Sequence, residues 1–514
     1  MKIKISNIKI LANQNITPYE YLKNKYKIND IKDLKILRRS IDARDKENVY
    51  LVYTICFTTN NKKILKFKNA SIYEEDKEFI YPNWNNNDRP VVVGFGPAGM
   101  FCALTLARCN AKPIIIERGS EVEKRSQDIE NFYQNKKLNE DDNVLFGEGG
   151  AGTFSDGKLT TTLNDPIIKQ ILKDFVKFGA SEEILYDAMP HIGSDILRKV
   201  VKNLREEIIS FGGEVHFNTK LIDYKENDKE IEAITTNGSF KTSHLFLALG
   251  HSAYDTISML YNKGVKMEAK SFSVGVRIEH EREYINKLQY ASFAKYLPAA
   301  YYKMAVHLDK RSVYTFCMCP GGYVMATSNN KEAIVTNGMS NYKRDAINSN
   351  AALLVEVNPS DYLVSSPLDG FKFQHDIEHK AYLVGGNLRA PANLVKEFLA
   401  DEVAECIRSV KPSYPHGINL CDLAKVLPDF VIKALKEGIM KMDEKMPGFN
   451  YKDAILIAPE TRSSSPVRIN RDAKHRVGMI YPIGEGAGYA GGITSAALDG
   501  IKSAILSMEE IWQI

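Results

Sequence analysis

The sequence predicts an α/β fold: a dinucleotide-binding domain of the Rossmann type, with an inserted α+β domain and a small α+β module at its N-terminus. Three observations predict it. An apolar strand ending at Val93 runs into a glycine turn and a helix. A second apolar strand begins at Ile480 and also runs into a glycine turn. Between the two, residues 261–450 contain alternating apolar and polar runs, which are typical of antiparallel strands.

The first glycine turn has the G-x-G-x-x-G spacing, at Gly94, Gly96 and Gly99. In this pattern the first glycine permits the tight turn, the second lets the backbone approach a pyrophosphate, and the third allows close packing of helix on strand. Pro97 suits the first helical turn, whose free N–H groups favour an anion. A second apolar strand ends at Glu117, close to the position expected of a carboxylate that accepts from a ribose hydroxyl. Because that carboxylate would repel a 2′-phosphate, we expect NAD-like or FAD adenosine rather than NADP.

Two further glycine-rich stretches predict contacts with the same ligand. Residues 145–159 combine five glycines with phenylalanines and hydroxyls. Near the C-terminus, the strand at Ile480 meets a glycine turn, and a helix is expected to run from Gly491-Gly492 to about Trp512. Besides the first motif, the residues predicted to bind the ligand are Ala98, Arg118, Gly149, Gly150, Thr153, Ser155, Leu221, Ala248, Gly250, Gly484, Glu485, Gly491, Gly492 and Ile493.

Composition divides the chain into four parts. Residues 1–81 form the predicted N-terminal module, and residues 82–90 are a polar, proline-bounded linker. Residues 91–260 and 451–514 form the predicted dinucleotide-binding domain, and residues 261–450 the inserted substrate domain. Within the module we expect a helix from a capping box at Thr17, and strands over 2–10, 34–41, 49–58 and 62–68. Its basic run, Lys35 to Arg44, could contact a phosphate or a partner, but we favour a solvated strand face.

Bulk properties exclude several classes of protein. Apolar residues at 44% and charged residues at 26% are ordinary for a soluble globular protein of 514 residues. The net charge of +4 gives no reason to expect a nucleic-acid partner. Seven cysteines without framework spacing predict a reduced, cytoplasmic location. Neither a signal peptide nor a run of about 18 apolar residues is visible, so no membrane span is expected.

The motifs resemble those of the large FAD-binding superfamily built like glutathione reductase and p-hydroxybenzoate hydroxylase. More closely, the sequence is similar to a bacterial family of uncharacterised FAD-dependent dehydrogenases. The matching residues are 93–99, 146–158, 315–322 and 484–492. The resemblance implies FAD, redox chemistry and an FAD-binding domain of the glutathione-reductase (GR2) type. The superfamily usually has aspartate where this chain has Glu485. In it, the second glycine segment also binds FAD, and the helix after Gly492 would stabilise negative charge on reduced flavin.

Three basic side chains near the predicted flavin segments are candidates for a proton donor or a substrate clamp: Lys158, His251 and Arg462. Each could equally be a structural ion-pair partner. Cys317 and Cys319 lie about 6.5 Å apart on one face of a predicted strand, at the outer limit of disulfide geometry. A redox role and a role as small buried apolar side chains are both open, and we favour the second. His375 and His379 lack a third ligand, so no metal site is expected.

The sequence therefore predicts an FAD-dependent oxidoreductase of cytoplasmic location, with NAD(P)H as a candidate electron donor and a small-molecule substrate of unspecified identity. Its substrate pocket is expected between Ser271–Ile278 and Thr315–Tyr323. Two alternatives stay open: an NAD-dependent dehydrogenase that uses the first motif alone, and a non-catalytic flavin-binding regulatory or RNA-associated protein. Neither the electron acceptor nor the oligomeric state follows from the sequence.

Overall fold

The N-terminal module is a four-stranded antiparallel sheet with one helix packed on it. The computed structural model describes residues 1–75 and 79–508. The elements of the module are β1 (Lys2–Leu11), α1 (Pro18–Tyr26), β2 (Lys32–Asp42), β3 (Tyr50–Thr58) and β4 (Ala70–Ile72). The sheet order is β2-β3-β1-β4. Alternate isoleucines of β1 and the apolar face of α1 form its core.

Local signals account for most of these elements. As predicted, a capping box starts α1: the Thr17 hydroxyl accepts from the Glu20 N–H, and the Glu20 carboxylate accepts from the Thr17 N–H at 2.8 Å. The strand predicted over 62–68 is wrong, because Lys62–Lys66 form a 3₁₀ helix instead. The Asn61 side chain accepts from the N–H two residues further on, which favours that turn over an extended strand.

The next part of the chain alternates strands and helices. Its elements are β5 (Val91–Val93), α2 (Pro97–Arg108), β6 (Ile114–Ile116), α3 (Val122–Asn135), α4 (Ile167–Lys177), α5 (Ser194–Ser210), β7 (Glu214–His216), β8 (Leu221–Glu226), β9 (Ile231–Thr235), β10 (Gly238–Thr242), β11 (Leu245–Leu247) and α6 (Tyr254–Asn262).

The remaining elements run from the inserted domain to the C-terminal helix. They are β12 (Met267–Ala269), β13 (Phe272–Glu281), α7 (Arg282–Tyr290), β14 (Ala305–His307), β15 (Ser312–Cys319), β16 (Tyr323–Ala326), β17 (Thr336–Met339), β18 (Asn348–Val357), α8 (Pro359–Tyr362), α9 (Asp369–Gly385), β19 (Ala390–Leu394), α10 (Val395–Leu399), β20 (Ile418–Leu420), α11 (Asp429–Lys445), β21 (Ile455–Glu460), β22 (Val467–Ile469), β23 (Ile480–Pro482) and α12 (Ile493–Leu506).

A parallel five-stranded sheet of order β23-β11-β5-β6-β7 forms the centre of the nucleotide domain. Its three middle strands are short apolar runs covered on both faces, as parallel sheets require. One face packs on α2, α5 and α12, and the other mainly on β8 and β9. The last strand, β23, thus lies beside β11, and β11 and β5 separate it from β6. The helix that follows β23 begins directly after Gly492, as predicted, and ends at Leu506. The predicted end at about Trp512 lies outside the described residues.

The inserted domain is built on a seven-stranded sheet of order β14-β15-β18-β13-β21-β19-β20. Almost every residue of β13 and β18 is buried, and these central strands pair along ten residues each. β21 pairs with β13 and β19, so the predicted boundary at residue 451 cuts through the insert. An apolar strand at that point looks the same in sequence whichever sheet it joins. In the described chain no helix is long and apolar enough to cross a membrane.

Candidate functional site

Three parallel strands bring their carboxyl ends to one edge of the nucleotide sheet. β5, β11 and β23 pair in register, so that Val93, Leu247 and Pro482 lie side by side. The turns that follow these strands therefore open at the same edge, where ligands of such sheets bind. Gly94 starts the first turn with a φ of +94°, and a Cβ there would lie 2.3 Å from the Ala248 carbonyl oxygen.

Gly96 and Gly99 of the first motif are glycine for different physical reasons. A Cβ on Gly99 would lie 1.9 Å from the Gly94 carbonyl oxygen, so α2 packs on its own strand only with glycine there. A Cβ on Gly96 would meet nothing closer than the Gly150 Cα at 3.6 Å, which is ordinary contact. The protein itself therefore needs Gly99 but leaves space at Gly96, where α2 begins.

Glu117 binds backbone amides from three segments. Its carboxylate accepts from the N–H groups of Phe95 at 2.7 Å, Gly119 at 3.0 Å and Gly147 at 2.9 Å. The side chain is buried and lines the cavity described below. A carboxylate has about four acceptor positions, so these amides leave roughly one for another donor. Glu117 therefore ties the glycine turn to the 145–159 stretch, and its contact with a ribose stays a prediction.

A cavity of about 1190 Å³ begins at these turns and extends into the inserted domain. Most of the residues predicted to bind the cofactor line it. They are Gly94, Gly96, Pro97, Ala98, Glu117, Arg118, Gly150, Ser155, Leu221, Ala248, Gly250, Glu485, Gly491, Gly492 and Ile493. The others, Gly99, Gly149, Thr153 and Gly484, lie outside its lining. For example, the Gly149 backbone packs directly on the Thr153 hydroxyl.

The C-terminal glycine turn is held by a carboxylate that sequence reasoning missed. Asp499 accepts from the Gly484 N–H at 2.7 Å and pairs with Arg471 at 2.6 Å. α12 lies so close to α2 that a Cβ on Gly500 would be 2.1 Å from the Ala98 carbonyl oxygen. At the start of α12, in contrast, a Cβ on Gly491 would meet no described atom within 4 Å. The helix start therefore faces open space.

The far end of the cavity contains a group of ionisable side chains, here called the cysteine cluster. Its members come from distant parts of the chain: Asp156, Lys158, Arg277, Cys317, Cys319, Arg344 and Glu460. Lys158, Cys317 and Glu460 line the cavity directly.

Three ion pairs build the cysteine cluster. Asp156, wholly buried, pairs with Lys158 at 2.8 Å and with Arg344 at 2.6 Å. Arg277, also wholly buried, pairs with Glu460 at 3.0 Å. Burial alone would lower the pKa of Lys158, but its pairing with Asp156 outweighs this and raises it. Pairing with Glu460 likewise raises the pKa of Arg277 against burial, so Lys158 and Arg277 are both charged at neutral pH.

Burial raises the pKa of Glu460 to about 7, although Arg277 opposes the shift. The glutamic acid can thus gain or lose a proton near neutral pH, which suits a group that exchanges protons with a bound reactant. No sequence motif marked Glu460, because its role depends on contacts with β13 and the cysteines.

The other candidate side chains differ in their contacts. His251 lies with Nδ1 3.1 Å from a carboxylate oxygen of Glu485, while its buried Nε2 has no hydrogen-bond partner among the described residues. Arg462 pairs with the buried Glu378 at 2.8 Å and also lines the cavity. His375 and His379 lie with ring centroids 6.4 Å apart, and the described residues contain no group of three or more metal-ligating side chains.

The walls of the cavity differ from those predicted. Ser271–Ile278 are absent from the lining, because β13 is a central strand whose side chains are buried between neighbouring elements. Of Thr315–Tyr323, only Thr315, Phe316 and Cys317 reach the cavity. The remaining walls of the insert come from Lys270, Tyr301, Lys303, Thr327, residues 335–337, Glu460 and residues 462–464.

The N-terminal module also reaches the rim, which the sequence did not indicate. Arg39 pairs with Asp187 at 2.6 Å, and its N–H donates to the Tyr186 carbonyl at 2.7 Å. This docking brings Leu37 and Arg38 into the cavity lining. The basic run is therefore more than a solvated strand face, which corrects our preferred interpretation.

A flavin dinucleotide fits this arrangement. At Gly96, Gly250, Gly491 and Gly492, all in the lining, a Cβ would meet no described atom closer than 3.6 Å. Because these positions carry no side chain, a long ligand has room to lie against the backbone. Free N–H groups at the starts of α2 and α12 favour its negative charges.

Comparisons with known proteins agree with this geometry. Residues 271–463 match the family described as "FAD-dependent protein, C-terminal domain-like", and residues 2–58 match a domain of unknown function. An uncharacterised protein of Clostridium beijerinckii is 46% identical to this chain, and the alignment covers 98% of each sequence.

Two solved structures illustrate the wider similarity. A flavoprotein/dehydrogenase from Cytophaga hutchinsonii aligns over 82% of this chain and 78% of its own, with 13% identity and a TM-score of 0.36. Glycine oxidase from Geobacillus kaustophilus aligns over 82% and 95%, with 11% identity and a TM-score of 0.35.

Proposed function

We propose that this chain, which belongs to a family of uncharacterised FAD-dependent proteins, is an oxidoreductase that passes electrons between FAD and a small anionic partner. The family rests on the 46% identity to the clostridial protein along nearly the whole chain and on the match of residues 271–463. The cofactor is FAD. The alternative in which the first motif serves NAD alone is therefore set aside.

One observation carries the proposal: a single continuous cavity joins the glycine turns to the cysteine cluster. When bound, FAD supplies two-electron redox chemistry. The chain would hold its phosphates at the start of α2 and its ribityl side near Glu485, in the cavity lining. The ionisable side chains at the far end could then exchange protons with a substrate. A purely storage or regulatory flavin site would need no such group.

The rim favours an anionic substrate or electron donor. Arg38, Lys270 and Lys303 line the cavity and form no ion pair with any described residue. The other cations in the lining are already paired, as Arg118 is with Asp255 at 2.9 Å. Unpaired cations at a cavity mouth attract negative ligands and speed their association. A nicotinamide dinucleotide or a carboxylate-bearing molecule has the required charge.

The proposal is tested by anaerobic mixing of the FAD-loaded protein with NADH and, separately, NADPH, while flavin absorbance is recorded. We expect rapid bleaching by one of them. Bound flavin that stays oxidised with both donors, and reduced flavin that no added acceptor reoxidises, would instead support the flavin-binding regulatory alternative. Absence of flavin from heat-denatured supernatant after reconstitution would contradict the FAD site itself.

A matched pair of variants tests the anionic partner. Arg38→Ala should raise the KM for the electron donor several-fold and weaken its dependence on salt, because a rim charge acts mainly on association. Arg44→Ala is the control, since Arg44 is an exposed arginine of the same module outside the cavity lining. Equal kinetics for both variants would show that the donor enters elsewhere.

A further inference from the structure

Cys317 and Cys319 occupy an irregular point of β15, inside the cysteine cluster. The pairing of β15 with β18 shifts register between Phe316 and Cys319, so the strand bulges there. Cys317 has a φ of +38°, which a side chain rarely adopts. Such backbone conformations cost free energy and concentrate at functional sites. The bulge turns Cys317 into the cavity lining, while Cys319 remains buried behind it.

The surroundings of the pair are polar and mostly cationic. The Arg277 guanidinium donates to the Cys317 carbonyl at 3.0 Å and lies 3.8 Å from the Cys319 sulfur. The Lys158 ammonium lies 3.9 Å from the same sulfur. The charged and titratable groups that face the pair are Asp156, Lys158, Arg277, Tyr301, Tyr302, Arg344 and Glu460.

These cysteines differ from the other buried ones. Cys102 and Cys109 lie in an apolar core on α2 and just after it, where burial raises the pKa of each thiol. The neighbouring Cys319 and then the cations Lys158 and Arg277 lower the pKa of Cys317, although burial opposes the shift, and the Cys319 thiol donates to the Cys317 carbonyl at 3.2 Å. Thiolates held near cations are the reactive form of cysteine. Small apolar side chains would need none of this.

We propose that Cys317 and Cys319 are a redox-active pair that exchanges two electrons with the flavin, Cys317 being the sulfur open to the cavity. This inference rests on the proposed function, because the flavin is the electron partner. The Cys317 thiolate and the Cys319 thiol together lose two electrons and the remaining proton, and one S–S bond forms. The flavin gains both electrons and that one proton, to give anionic reduced FAD. The reverse reaction restores the dithiol.

The spacing of the pair permits this bond. On a regular strand, Cα atoms two residues apart lie near the upper limit of disulfide geometry. The bulge and the positive φ of Cys317 add backbone strain, so the disulfide would be strained. Strained disulfides have higher reduction potentials and are the ones used in catalysis or regulation.

An anaerobic dithionite titration of the air-oxidised holoprotein tests the proposal by counting electrons per bound FAD. The wild type should take up about four electrons, two for the flavin and two for the disulfide. Cys317→Ser and Cys319→Ser should each take up about two. Cys406→Ser, which removes an exposed cysteine outside the cavity, should remain at about four. Uptake of only two electrons by the wild type, with FAD fully bound, would show that the two cysteines are not redox-active. It would leave the proposed function intact.

Mass spectrometry gives a readout that needs neither activity nor a variant. Cleavage after Arg311 and Lys331 releases one peptide that contains both cysteines and no other. After blocking of free thiols in denaturant, this peptide from oxidised wild type should stay unlabelled unless it is first reduced. The five other cysteines, all free, serve as internal controls and should be labelled. Full labelling of both cysteines in the oxidised protein would contradict the disulfide. Failure to bind FAD would instead overturn the proposed function and, with it, electron transfer to the flavin.

Discussion

At the glycine-turn end of the cavity, the groups offered to a ligand are backbone atoms, whereas at the cysteine cluster they are ionised side chains. The first end is set by short sequence motifs, since Gly94, Gly96 and Gly99 lie on one turn of one βαβ unit. The second end joins Lys158, Cys317 and Glu460 across the whole insert. A backbone site needs space and close packing. A side-chain site needs mutual charge compensation, so its members act together.

This difference predicts how each end fails. Substitution at the glycine-turn end should act through sterics, and its effect should follow the distance from the added atom to its neighbour. Substitution at the cysteine cluster should leave the fold in place but shift the protonation of the remaining groups. The following variants test that contrast, from the largest expected effect to the smallest.

Gly99→Ala should cause the largest loss. Its Cβ would lie 1.9 Å from the Gly94 carbonyl oxygen and 3.2 Å from the Ala248 Cβ, so α2 would have to move off the sheet. We expect a loss of about 3 kcal/mol or more in the free energy of unfolding, at the top of the range for overpacking. Urea unfolding of the apoprotein measures it. Wild-type stability would mean that α2 packs less tightly than described.

Gly96→Ala should lower FAD affinity by roughly a hundredfold while leaving the apoprotein stable. The added methyl group meets only the Gly150 Cα at 3.6 Å, but it enters the space that the pyrophosphate needs. A misplacement of about 1 Å has effects of this order. Fluorescence titration with FAD gives the affinity. Unchanged binding would place the phosphates elsewhere, and lost stability would show that the steric argument fails for this turn.

Sequence reasoning found the glycine-turn end because its signals are local. Strand, turn, helix and Glu117 follow one another within one supersecondary unit, and spacing alone identifies them. For the cysteine cluster, spacing gave only separate candidates, Lys158 and the two cysteines. It could not join them, since Arg277 and Glu460 meet Cys317 only after three strands align in the insert. The same limit explains the wall wrongly assigned to Ser271–Ile278: an alternating pattern predicts a strand but not whether that strand is central.

Glu117→Gln should reduce both stability and FAD affinity, the first by about 1–3 kcal/mol. Both oxygens of the carboxylate accept amides, and a glutamine would turn an NH₂ group toward at least one of them. Glu130→Gln is the control, because Glu130 lies on an exposed helix face. Thermal unfolding and FAD titration measure the two effects. Lost affinity at full stability would assign the carboxylate to the ribose rather than to the turns.

Lys158→Met tests the cysteine cluster. Removing the ammonium near the cysteine pair should raise the pKa of Cys317 by roughly one unit, since an opposite charge no longer favours the thiolate. The pH midpoint of iodoacetamide alkylation should therefore rise, whereas Lys303→Met, in the same cavity, should leave it unchanged. Urea unfolding should show that the fold persists. An unchanged midpoint would show that Lys158 does not lower the pKa of Cys317.

Gly492→Asp should have the smallest effect, a fall of roughly 5–20 mV in the flavin reduction potential. Gly492 caps α12 with an extended backbone (φ −168°), so any residue fits there, and a Cβ would meet only the Ser495 hydroxyl at 3.9 Å. A charge at a helix start is worth about 0.3–1 kcal/mol, and about 1.4 kcal/mol corresponds to 30 mV for two electrons.

Gly492→Asn separates charge from shape in this last test, because asparagine caps the helix equally well and has nearly the same volume. Potentials are measured by equilibration with reference dyes at low salt, where a surface charge is least screened. A carboxylate beside reduced flavin opposes its negative charge, so aspartate should lower the potential and asparagine should not. Equal potentials for the two variants would show that the start of α12 does not face the part of the flavin that becomes negative. Because backbone N–H groups would then contribute nothing to reduction, the cysteine cluster alone would have to stabilise the charge.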